Sequence, residues 1–192
     1  MWTEPRHTVR SIVHIAPSYG FWVLATLYAL ASSFFFAHVY SWGLETSFLP
    51  IFLPLLILSP VIGFVWLSFD AWILYRIGLL LKGKAHYPAV RAAVAWAKIP
   101  FFIALAMWVA LAVINPDIAF IQYVSGMSAF FIFFITSVVN VWAAVLLIQS
   151  VREVQLFPLG RAIANVFLGW IISFCFSLIL LIISRYIYLS SV

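Results

Sequence analysis

The chain has 192 residues, of which 67% are hydrophobic and only 8% charged, and its mean hydropathy is +1.18. A soluble domain of this length needs far more polar surface to cover itself, so the composition excludes an ordinary water-soluble fold. A net charge of +5 would point to nucleic acid in a soluble protein. Here its placement beside apolar runs accounts for it, and no nucleic-acid partner is expected.

Only helices and closed barrels satisfy their backbone hydrogen bonds in lipid. A barrel strand needs about ten alternating residues, whereas these apolar runs reach about twenty or more. The expectation is an all-α, polytopic membrane bundle, one transmembrane domain over residues 1–192. It has five transmembrane helices and one or two cytoplasmic interfacial helices.

Residues 3–16 read as a basic helix on the membrane surface. Arg6, Arg10 and His14 fall on one face and Val9, Ile12, Val13 and Ala16 on the other, a pattern drawn to anionic headgroups. The alternative is a solvated tail. Pro17 ends it, and the stretch before Pro17 is too polar for a cleavable signal peptide. The first span covers about 21–40, bounded by Tyr19 and Trp22 at one interface and Tyr40 and Trp42 at the other.

The apolar run from Phe48 to Leu81 is too long for one straight span, and Pro50, Pro54 and Pro60 predict a bent approach or a kink. The second span is placed at 51–79. A start near Ile51 leaves Asp70 at the inner edge, and a start near Ile57 puts it inside the membrane. Lys82 to Lys98 carries Lys82, Lys84, Arg91 and Lys98 with no acid, and reads as a second surface helix with Pro88 in its first turn. A short third span follows at 99–114, with Lys98 snorkelling to the interface.

Asn115-Pro116-Asp117 is a turn on the far side. The fourth and fifth spans, 120–149 and 162–184, form a hairpin about a charged hinge from Arg152 to Arg161. Tyr186 and Tyr188 close the chain as an aromatic anchor. Small and polar residues recur along both spans: Ser125, Ser128, Thr136 and Asn140, then Asn165, Gly169, Ser173 and Ser177. Such residues draw helices together in lipid, so this hairpin is expected to be the packing core, with Asn140 tied to Asn165 or Ser173.

With five crossings, Arg6, Arg10, Arg76, Lys82, Lys84, Arg91, Lys98, Arg152 and Arg161 share one side, and only Arg185 lies on the other. The positive-inside rule then puts the amino terminus in the cytoplasm and the carboxyl terminus in the periplasm, with anionic headgroups at the cytoplasmic face.

Candidate intramembrane polar residues are Asp70, Asn140 and His38. Asp70 either binds a cation or proton in a transport path or meets a cytoplasmic base from another segment. Arg76 is six positions on, so the two cannot pair along a regular helix. His38 is a proton-handling group or a packing residue. Arg76, Lys82, Lys84, Arg91, Arg152, Glu153 and Arg161 are candidates for contact with lipid or a protein partner. At the hinge, the alternative is that the basic residues hold the loop inside while Glu153 pairs with a neighbouring arginine. Cys175 sits in an apolar run and has no partner for an intrachain disulfide. Metalloprotease, phosphate-loop and nucleophile-elbow motifs are missing, and His7, His14, His38 and His86 are too dispersed to predict a metal site. Neither an enzyme nor a cofactor is expected.

Lys82-Gly83-Lys84-Ala85-His86-Tyr87, followed by Arg91 to Pro100, resembles the segment between the second and third spans of Yip-family proteins. Trp142, Leu146-Leu147, Ser150-Val151-Arg152-Glu153 and Arg161-Ala162 resemble the hinge of bacterial members, and His14-Ile15-Ala16-Pro17 their approach to the first span. Many members have Gly-Tyr ahead of the proline, where this chain has Ala95-Trp96. The Asp-Leu-Tyr-Gly-Pro signature of eukaryotic members, which interact with Ypt/Rab GTPases, is missing. The resemblance implies a five-helix fold in a bacterial inner membrane and leaves the activity open. Two functions are carried forward: a scaffold or adaptor that meets lipid, a protein partner or a second copy of itself, and a small transporter or channel with a polar path between helices.

Overall fold

A computed structural model describes residues 5–115, 119–122 and 126–190. Residues 3 and 4, Pro116 and Asp117 of the far-side turn, and Ser125 lie outside it, as do the side chains of Arg6, His7, His14, Arg185 and Tyr188. Among the described residues there are helices and no strand, so the all-α expectation holds. The helices are α1 (Pro5–Ile15), α2 (Phe21–Val39), α3 (Phe48–Leu80), α4 (Tyr87–Trp96), α5 (Phe101–Ile114), α6 (Met127–Gln155) and α7 (Leu159–Ser190). Four of them, α2, α3, α6 and α7, are long and apolar enough to cross a membrane. The bent pair α4 and α5 makes a fifth crossing if it is taken as one broken span.

The broadest helix contact is between α2 and α3, not within the hairpin of the last two helices. Its cause is Gly63. A Cβ there would run into the Ala25 carbonyl and stand 3.1 Å from the Ala29 methyl, so only glycine allows the backbones this close. Pro60 sits inside α3 without breaking it. Proline lacks the N–H that would bond to Leu56, and the buried Ser59 hydroxyl donates to that carbonyl instead, at 2.9 Å.

At ~1.5 Å per residue, the 33 residues of α3 extend about 50 Å, against about 28 Å for the 19 residues of α2. Phe21 and Trp22, at the start of α2, pack on Phe64. The last four turns of α3 therefore run on past α2, and α1 and α4 pack there, between α3 and the end of α6. The inner core is Phe21, Leu67, Leu74, Val90, Val94, Leu147, Val151 and Val166. The outer core gathers Phe34, Ile51, Trp108, Phe120 and Ile132.

Two expectations are corrected by this packing, and a third gains a partner. Helix α4 is no surface helix: Val90, Ala92, Ala93, Val94 and Ala95 are all buried. Small residues on every side let it wedge between α3 and α6. Helix α1 leaves the Arg10 side chain exposed and also gives it a partner. Its Val9 is buried and the Arg10 Nε donates to Glu153 at 2.7 Å, pinning α1 to the end of α6. The charged hinge shrinks to Leu156-Phe157-Pro158, because α6 continues through Gln155 and closes when the Phe157 N–H bonds the Arg152 carbonyl at 3.0 Å.

Gly63→Ala should destabilise the protein by about 1–3 kcal/mol, as overpacking does. Thermal unfolding of the purified protein in detergent checks it, and an unchanged midpoint would contradict the close α2–α3 approach.

Candidate functional site

Pro100 interrupts the line of α4 and α5. With no N–H at Pro100, the Trp96 carbonyl takes the Ile99 N–H at 3.3 Å, and the turn tightens to three-residue spacing as far as Ile103. The two helices meet at 41°. The break leaves Lys98 on the inside of the bend, with its Nζ 4.4 Å from the centre of the Tyr28 ring and 5.6 Å from that of Phe101. Tyr28 is seven residues into α2, about 10 Å from its start. Lys98 therefore reaches into the bundle instead of snorkelling to the interface, which corrects the expectation for it.

Opposite Lys98 lies Asp70. Its Oδ1 accepts the Ser173 hydroxyl of α7 at 3.0 Å, and the Lys98 charge acts on it electrostatically. Both side chains line a cavity of 380 Å³ walled by Tyr28, Trp66, Phe101, Trp170 and Phe174, with Asn140 and Ser177 at one end. Asn140 and Ser177 also line a second cavity of 580 Å³, which continues between α2, α5, α6 and α7 past Ser32, Ser33 and Thr136. A lone charge at the centre of a spanning helix costs about 2.5–3.5 kcal/mol on insertion scales. Here a carboxylate and an ammonium share one space, each with a further partner, and that lowers the cost.

Among the candidate intramembrane residues, Asp70 and Asn140 come together and His38 does not. The His38 ring packs 5.2 Å from Trp108, and its Nδ1 donates to the Ala119 carbonyl at 3.3 Å. This ties the C-terminal end of α2 to the 119–122 loop, which also holds Gly43 and Ser41 through backbone and hydroxyl bonds. The Asn140 amide donates to Thr136 of its own helix at 2.8 Å, so it is not the tie to Asn165 or Ser173.

The stripe on α7 faces α3. Asn165 donates to the Leu74 carbonyl at 3.2 Å, Gly169 lies under the Leu74 side chain, and Ser173 holds Asp70. Ser177 bonds back to Ser173, and Thr136 to Ile132, each within its own helix. Ser128 is half-buried near the start of α6.

The other basic residues divide into two groups. Arg91 and Arg76 have partners within the fold: Arg91 donates to Ser18 at 3.2 Å and stacks over Phe21 at 4.7 Å, and Arg76 lies over Trp72 at 5.9 Å. Lys82, Lys84 and Arg161 are exposed and Arg152 half-exposed around the α3–α4 and α6–α7 turns. Glu153 is buried against Arg10 of α1, a partner 143 positions away. Among the described residues, no group of three His, Cys, Asp or Glu side chains is placed to hold a metal ion.

Lys98 and the aromatic wall were not singled out from sequence as site residues. The available signal was Lys98-Ile99-Pro100, a lysine two positions before a helix-breaking proline in an apolar stretch.

The apolar helices and the charged cavity among them are those of a multi-pass membrane protein. No protein-family model, curated protein or solved structure matches the chain.

In a background carrying Cys175→Ala, Ser177→Cys should react with a small, polar, membrane-impermeant thiol reagent. Leu178→Cys, exposed on the adjoining lipid-facing side, should not. Equal inertness at the two positions would mean that the cavity is dry.

Proposed function

We propose that this chain is a multi-pass protein of a bacterial inner membrane that binds a charged solute between its helices and moves it across the bilayer. The observation that carries the reading is the 380 Å³ cavity holding Asp70 and Lys98 at the break between α4 and α5. Transporters build their sites at interrupted helices, because non-helical backbone is tolerated in lipid only where protein or a wet cavity satisfies it.

In this reading the amino terminus is cytoplasmic and the carboxyl terminus periplasmic. The support is the crowd of cations around the end of α3 and the α6–α7 turn: Arg76, Lys82, Lys84, Arg152 and Arg161. The proposed kinship with the Yip family rests on the residue pattern alone. The scaffold reading has its own support in the exposed Lys82, Lys84 and Arg161, which suit anionic headgroups or an acidic partner. The other inner charges, Arg10, Arg91 and Glu153, are occupied in holding the fold.

Reconstituted proteoliposomes separate the two. Uptake is followed for protons with an enclosed pH dye, and for potassium, ethanolamine phosphate and zwitterionic amino acids with isotopes. The transport reading predicts a flux that Asp70→Asn and Lys98→Gln abolish and that Arg161→Gln leaves intact. Absence of any flux, together with vesicle or partner binding lost in Lys82→Gln and Arg161→Gln, would favour the scaffold.

A further inference from the structure

The cavity at Asp70 has two unlike parts. The 380 Å³ part contains an acid, a base, an amide and hydroxyls. The 580 Å³ part is walled mainly by hydrocarbon and rings, including Phe35, Phe36, Leu180 and Leu181, which are also exposed on the outside of the bundle. A small ion has no use for a long apolar chamber, and a bare hydrocarbon chain has none for two charges. Both parts together suit a molecule with a charged head and an apolar tail that enters sideways from the bilayer.

The two charges say more about the head. Asp70 and Lys98 line one space without being joined as an ion pair among the described contacts. Charges of opposite sign held apart in a low dielectric each favour a counter-charge. Lys98 rests on the rings of Tyr28 and Phe101, and Asp70 takes the Ser173 hydroxyl, so each group has its own contact in the wall and still faces the cavity. A single positive or single negative ligand would satisfy one group and be repelled by the other; a zwitterion satisfies both.

We propose that the cavity takes a zwitterionic phospholipid with a primary-amine headgroup, its ammonium on Asp70, its phosphate on Lys98 and an acyl chain in the 580 Å³ part. This rests on the reading of the cavity as a binding site. It narrows the solute to a membrane lipid.

The test is native mass spectrometry of the purified full chain, offered an equal mixture of dioleoyl phosphatidylethanolamine and dioleoyl phosphatidylglycerol. Wild-type protein should retain the ethanolamine lipid in preference. Asp70→Asn and Lys98→Gln should each cut that retention about ten-fold, the scale of a lost charged hydrogen bond. Glu45→Gln, which alters an exposed acid that lines neither part of the cavity, should leave it unchanged. Equal retention of the two lipids by wild type overturns the proposal whatever the variants do, so a variant that fails to fold does not shield it. Unchanged retention in both cavity variants overturns it as well. If free ethanolamine phosphate binds in an Asp70-dependent way while neither lipid is retained, the lipid inference fails and the solute-binding reading stands. If neither lipid nor headgroup binds and no flux depends on Asp70, both fail.

Discussion

Lipid offers a chain no hydrogen bonds, so every interruption of a helix must be repaired from within the protein. The turn from Ala97 to Pro100 is where this constraint has the largest consequence. The carbonyl left over by proline is taken up by a tighter turn, and the bend carries Lys98 in among α2, α3 and α7. A half-buried ammonium among rings favours a nearby opposite charge, and Asp70 faces the same cavity. Break, cation, carboxylate and cavity follow from one another. A straight helix through this region would leave Asp70 with Ser173 alone.

The rest of the fold keeps that cavity open. Close packing of α2 on α3 at Gly63 anchors one wall, and the docking of α7 on α3 through Asn165, Gly169 and Ser173 anchors another. Beneath them, α1 and α4 fill the space that the longer helices leave past α2, and the Arg10–Glu153 pair fixes the end of that layer. Side chains that would otherwise form an unbroken core are spread around the cavity as aromatic faces. Rings suit this role because they present apolar surface beside the charges and attract the Lys98 ammonium.

Much of the architecture could be read from composition and pattern. The long apolar runs at Phe21, Phe48, Met127 and Leu159 are helices, and Pro17 and Pro100 mark real interruptions. What local pattern could not show was partnership. Val90, Val94 and Arg91 are spaced as on a surface helix, but the alanines between them make α4 slim enough to be buried. The period-four stripe from Asn165 to Ser177 announces a packing face and not which helix packs on it; the partner is α3, some ninety positions earlier in the case of Leu74. Glu153 has arginine beside it in sequence yet bonds to Arg10, because the end of α6 lies against α1. Asp70 was legible as a costly residue, while the frame of α3, and so its neighbour Lys98, depended on a fold that spacing does not specify.

A charged recess inside a bundle of this kind is a place to hold a molecule, and the account stands or falls on whether Asp70 and Lys98 face each other across it. The most direct measurement is chemical bridging. In membranes carrying the Asp70→Cys, Lys98→Cys, Cys175→Ala protein, a short water-soluble bifunctional thiol reagent should link the two cysteines, giving a loop-closed product after proteolysis between them. If both thiols stay unmodified, or each is modified singly without ever being joined, the shared cavity does not exist.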